Sequence, residues 1–187
     1  MLTTLLVLLG LAALIVLYGI VLYNALVRAR QMVREAWSGI DVQLKRRSDL
    51  IPNLVETVKG YAAHEKDALR EVTEMRTRAA AIPEGNVADR AAAEGMLSQA
   101  LGKLFAVAEA YPDLKANENF RDLQTSLETL ESEIQMARRY YNGSVRELNV
   151  KVEAFPSNLV ANRYDFQQAE YFELEDPADR ALPQVAF

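Results

Sequence analysis

The chain has 187 residues with 21 basic and 26 acidic side chains, a net charge of −5, one histidine and no cysteine. That length suits one domain with an appendage, and the missing cysteines exclude disulfides, thiol catalysis and thiolate metal sites. The charge is uneven: residues 28–47 carry six bases against two acids (+4), while 48–187 carry 15 against 24 (−9), an acidic body ill-suited to nucleic acid.

No charged side chain occurs from Met1 to Val27, and "LTTLLVLLGLAALIVLYGIVL", residues 2–22, is almost wholly apolar. Those 21 residues make a helix roughly 31 Å long, close to the hydrocarbon thickness of a bilayer. Leu5, Leu8, Leu11, Leu14, Leu17 and Ile20 are its membrane-spanning residues, and Tyr18 and Tyr23 stand toward one end as an interfacial belt would. A cleaved signal peptide would need a basic leader and a shorter apolar core. No base precedes this run, and it passes straight into a helical pattern, so an uncleaved anchor is expected. Arg28, Arg30 and Arg34 all lie C-terminal to the span, which predicts an outside N-terminus and a cytoplasmic body. With Lys45, Arg46 and Arg47 they form a basic collar suited to anionic lipid.

Beyond the span, apolar residues recur every three or four positions. Leu26, Val33, Trp37, Ile40, Leu44 and Ile51 keep that spacing, with Arg30 and Arg47 on the same stripe. A second run, Leu50 to Met75, fades into "RTRAAAIPEGN"; a third, Ala-rich helix covers about 87–110 with Met96, Leu97, Leu101, Leu104, Phe105 and Ala108 inward. "YPDLKAN" breaks it, and Asn117 can cap the next helix. Phe120, Leu123, Leu127, Leu130, Ile134, Ala137, Tyr141, Val145, Leu148, Val152 and Phe155 then hold a seam to Pro156. The predicted rods are 24–50, 53–80, 87–110 and 118–155, and short connections make neighbours antiparallel. Pro52 is either the corner between the first two rods or a kink in one longer rod, with Ser48 or Asp49 able to accept from freed backbone N–H groups. After Pro156 a short helical turn near 157–162 and then extended, aromatic chain are expected.

"RRSDLIPNLVETVKGYAAHE" and "YPDLKANENFRDLQ", within a pattern running nearly end to end, resemble the LemA family of bacterial membrane proteins. The chain departs from it at Leu148, where a tyrosine is expected before Asn149. The resemblance implies an up-and-down four-helix bundle on a single-pass anchor in the bacterial inner membrane, without an established enzymatic activity. It also implies a setting in membrane stress near a membrane-bound heat-shock metalloprotease, with one branch in magnetosome membranes. The fold class expected is therefore all-α: anchor 1–24, cytoplasmic bundle 25–156 and an irregular aromatic tail 157–187.

Chemistry is sparse. His64 stands alone in "YAAHEKD", whereas a di-iron bundle needs two Glu-x-x-His pairs and a zinc helix needs two histidines. Glu128, Glu131 and Glu133 read as a solvated face before they read as an acid–base pair. Lys45, Arg46 and Arg47 occupy successive positions and fan around a helix, so they read as the flank of a bend rather than as one anion site. Neither a cofactor nor a small-molecule substrate is indicated. Lys115, Asn142, Asn149, Phe172 and Phe187 are candidate contacts for protein partners or for self-assembly into a homo-oligomer, as against turn, register and packing roles. The function expected is a non-enzymatic membrane-anchored scaffold. The alternatives are membrane remodelling through the collar and regulation of a membrane protease.

Overall fold

A computed structural model describes residues 1–83 and 85–173. The described residues form an all-helical protein: α1 (Leu2–Tyr61), α2 (Lys66–Ala80), α3 (Val87–Ala108), α4 (Pro112–Ala116), α5 (Glu118–Glu153) and α6 (Ser157–Arg163). The described residues divide into two compact units, one of residues 1–38 and 139–170, the other of 39–138 and 171–173. Helices α1 and α5 contribute a part to each.

In the first unit, the opening stretch of α1 has none of its apolar window buried. Leu5, Leu8, Leu11, Leu14, Leu17 and Ile20 are all exposed. Burial begins with Leu26 and Ala29, the first core residues of the amphipathic stripe. Leu26, Ala161 and Phe166 form a small core with Val27, Val152 and Val160 against it. Trp37 meets Tyr141 edge-on at 5.6 Å between ring centres. Helix α6 closes on a residue in the left-handed region, Asp165 (φ 53°), a conformation aspartate tolerates better than most side chains. The Phe166 N–H then donates to the Ala161 carbonyl at 3.0 Å, which turns the chain back toward α1.

The second unit is built on a core that includes Ile51, Leu54, Val58, Leu69, Val72, Leu97, Leu101, Leu104, Leu114, Phe120 and Leu127. Asn117 accepts from the Phe120 N–H at 3.0 Å, the cap its position predicts. Asn86 does the same for α3, accepting from Asp89.

Of the two alternatives left open for Pro52, the longer rod is the one found: Pro52 lies inside α1, which runs on to Tyr61. Two expectations are corrected. The break falls at 62–65, cutting the rod expected over 53–80 into the end of α1 and a 15-residue α2. Phe155, expected on the inward seam of α5, is 79% exposed, because α5 ends at Glu153 and the turn into α6 takes the residue out of register.

Proline at 52 removes the N–H that would reach the carbonyl four residues earlier, that of Ser48. Arg76 on α2 supplies the donor: its Nε lies 2.8 Å from the Ser48 carbonyl oxygen. The carbonyl released by the proline thereby becomes a tie between helices.

Candidate functional site

Two constellations hold the polar chemistry, one in each unit. In the second unit Arg47 is 3% exposed, which makes it a cation inside the core. Its Nη2 lies 2.5 Å from Glu94 Oε2, and its Nη1 lies 2.7 Å from Glu131 Oε2 and 2.9 Å from Ser98 Oγ. Glu94 is equally buried, and Arg90 Nε reaches its other oxygen at 2.8 Å. Arg90 also faces Asp41 at 3.7 Å. The result is an alternating chain of charges, Asp41–Arg90–Glu94–Arg47–Glu131, linking α1, α3 and α5. Isolated buried charges would be prohibitive, and the alternation is what allows burial.

A cavity of about 470 Å³ lies alongside, walled by Arg46, Asp49, Thr125, Ser126, Thr129 and Glu133 among others. Its lining holds no imidazole or thiol to work with those hydroxyls. Acyl transfer of the serine–histidine kind therefore has no base there. His64 is exposed, in the turn between α1 and α2.

In the first unit the chain leaving α6 is fastened onto α5. The Asn149 side chain donates to the Ala169 carbonyl at 3.0 Å and accepts from the Ala169 N–H at 2.9 Å, satisfying both backbone groups of one residue. Tyr141 donates from its hydroxyl to the Glu170 carbonyl at 2.9 Å. Burial, with a smaller contribution from the Glu170 charge, pushes the Tyr141 phenol up to about 12. Upstream, Tyr23 meets Tyr164 and Phe166 edge-on at 4.9 and 5.7 Å, and the Arg30 guanidinium sits 4.8 Å from the centre of the Phe166 ring.

These contacts reassign several candidates. Of the six collar residues, Arg28, Arg34, Lys45 and Arg46 are exposed. Arg30 is packed on Phe166, and Arg47 is sealed among carboxylates where no lipid phosphate can reach it. Arg46 reaches Glu133 at 3.2 Å. Glu131 and Glu133 therefore hold arginines of α1 and are not merely a solvated face. The Ser48 carbonyl receives Arg76, while Asp49 is exposed beside Pro52. Lys115 is exposed and pairs with Glu109 across its own turn. Asn142 is half-buried on α5. Asn149 holds this chain's own backbone, and Phe172 is fully buried within a single chain, so neither is the outward contact expected of it. Phe187 lies outside the described residues.

Glu94 and Arg90 were not legible as site residues; a lone Glu in an Ala-rich helix reads as solvated. Tyr111 carries no signal in the sequence either. Its hydroxyl donates to Glu65 Oε1 at 2.9 Å, and this bond, more than burial or the carboxylate charge, raises its pKa.

The LemA family model matches residues 36–187. The chain belongs to the LemA family. Similar proteins include Magnetosome protein MamQ 2 of Paramagnetospirillum magneticum, 26% identical over 87% of this chain and 70% of that protein. Magnetosome protein MamQ of Magnetospirillum gryphiswaldense is 25% identical over the same shares. Protein LemA of Metamycoplasma hominis is 26% identical over 82% of this chain and 69% of its own length. The range matched to the LemA family takes in the buried ionic chain and the α5 clamp. It begins after the apolar segment.

Proposed function

We propose that this LemA-family protein is a membrane-anchored helical scaffold, not an enzyme, that binds protein partners or further copies of itself at the cytoplasmic face of the bacterial inner membrane. The observation that carries the reading is the contrast along α1. Residues 2–22 are almost wholly apolar and nearly all exposed, whereas Leu26, Val33, Ile40, Leu44 and Ile51 on the stripe that follows are buried. A helix of that length and composition is stable in a bilayer, where every backbone group is satisfied internally. Arg28, Arg30 and Arg34, close behind the span on its C-terminal side, support a cytoplasmic body. The division is then an anchor over 1–24, an antiparallel four-helix bundle over 25–156 and a tail from 157 fastened back on α5. The strongest polar groups are consumed in holding helices together, as suits a rigid support better than a reactive centre.

Extraction of native membranes with alkaline carbonate, then crosslinking and sizing, tests this. The protein should remain in the membrane pellet and yield crosslinked multimers or a reproducible partner. Release into the supernatant, or monomers alone after crosslinking, would refute it.

A further inference from the structure

We infer that the corner between α5 and α6 is a second membrane contact, with Phe155, Leu159 and Tyr164 entering the lipid headgroup layer where α1 leaves the bilayer. The inference rests on the anchoring of α1 proposed above.

Three large side chains at this corner are open to solvent: Phe155 is 79% exposed, Leu159 62% and Tyr164 58%. They are not a random scatter. In the first unit α1 and α5 run antiparallel, with Trp37 against Tyr141 and Val152 beside the cluster that holds Leu26. Val152 is thus level with Leu26, and α5 ends one residue later at Glu153, so Phe155 follows at the end of α5 nearest Tyr23, the first residue after the apolar run. Tyr164 reaches the same level independently, through its ring contact with Tyr23 at 4.9 Å. Ala161 is buried with Leu26, so α6 lies against the same turn of α1, with Val160 and Ala161 inward and Leu159 outward.

The distances agree with the layer proposed. Helix α1 rises roughly 1.5 Å per residue, so Tyr23 to Leu26 lie about 1.5 to 6 Å beyond Leu22. The polar layer on each side of the hydrocarbon is about 5 to 8 Å deep. A segment packed on Tyr23 and Leu26 therefore sits in that layer by contact. Aromatic and aliphatic side chains interleaved with cations suit it. Arg163 is exposed at this level, its guanidinium 5.6 Å from the centre of the Tyr164 ring, and exposed Arg28 stands about 9 Å beyond Leu22, at the outer edge of the layer. Their charge complements lipid phosphate. Continuity with the anchor and this charge favour a lipid surface over a second copy as the cover for the corner.

The absence of native cysteine allows a direct test. Single variants Leu11→Cys, Tyr140→Cys, Phe155→Cys and Leu159→Cys are nitroxide-labelled in the full chain and placed in phosphatidylethanolamine–phosphatidylglycerol vesicles. Collisions with oxygen and with a water-soluble nickel chelate are then compared. Position 11 reports the anchor, and position 140, exposed at the other end of the α5 segment in this unit, reports water. The oxygen-to-nickel ratio at 155 and 159 should lie clearly above that at 140 and below that at 11, as a headgroup-layer position requires. A water-like ratio at 11 would overturn the anchor and this inference with it. A lipid-like ratio at 11 with water-like ratios at 155 and 159 would overturn this inference alone. Spin–spin broadening at 155 that disappears on dilution with unlabelled chain would assign the corner to a second copy, and would also overturn it. The labelled positions are exposed, so unchanged helicity by circular dichroism is expected of all four variants.

Discussion

Arg47→Met removes a buried cation while keeping an apolar stem on the stripe of α1. Glu94, itself 3% exposed, would keep only Arg90 at 2.8 Å among the partners described, whereas Glu131, with 40% of its side chain exposed, can return to water. Breaking a buried ion pair by deleting one partner costs about 3 to 5 kcal/mol. The surviving Arg90 contact argues for the lower end, about 3 kcal/mol, and for a chain of this size that is a fall of about 6 to 12 °C in Tm. Calorimetry of the full chain in mild detergent reads the shift. The double variant Arg47→Met with Glu94→Met should recover most of the loss, because well-packed apolar side chains often replace a buried pair at little cost. A single-variant loss under about 1 kcal/mol, the range of exposed pairs, would refute the claim that this network is desolvated. A double variant as unstable as the single would show that Glu94 is not the stranded charge.

Asn149→Ala leaves the N–H and carbonyl of Ala169 without their partner, a loss of about 1 to 3 kcal/mol confined to the clamp. Faster hydrogen exchange at Ala169 with the Tm nearly unchanged is the expected signature, and Asn149→Asp, which turns the donor into an acceptor, should be at least as damaging. The Tyr141 phenol is raised from 10 to about 12, so its contribution is fully present below pH 10 and disappears as pH rises through 12. Stability should therefore fall across that window, ultraviolet titration should show Tyr141 ionising late, and Tyr141→Phe should flatten the dependence and remove that late step. At the proline in α1, Arg76→Met should cost about 1 to 3 kcal/mol by orphaning the Ser48 carbonyl. Adding Pro52→Ala restores a local N–H donor, so the two substitutions should be non-additive in a double-mutant cycle.

The apolar run before Arg28, the threes-and-fours spacing after it and the cap at Asn117 are properties of neighbouring residues. They were sufficient to establish an all-helical chain with a lipid-length first segment, because helix periodicity and bilayer thickness act over one to a few turns. Pro52 shows where local reasoning stops. It left a corner and a continuing helix as equal alternatives, since the donor that compensates sits on Arg76, 28 residues from Ser48. Arg47 stood on the apolar stripe in the sequence, yet its partners lie 47 and 84 positions away. Whether a charge there is solvated or paired depends on which helix faces it, and spacing alone does not say. The clamp is of the same kind: Asn149 reads as a register or partner residue until the returning backbone of Ala169 is placed against it. Phe155 fails in the opposite sense, because periodicity assigned it inward and only the turn into α6 exposes it. Local pattern was thus enough to class each segment as span, amphipathic helix or turn. Which polar groups are consumed by the fold, and which apolar ones remain free to meet a membrane, was set by contacts between distant segments, because burial belongs to pairs of surfaces and not to single residues.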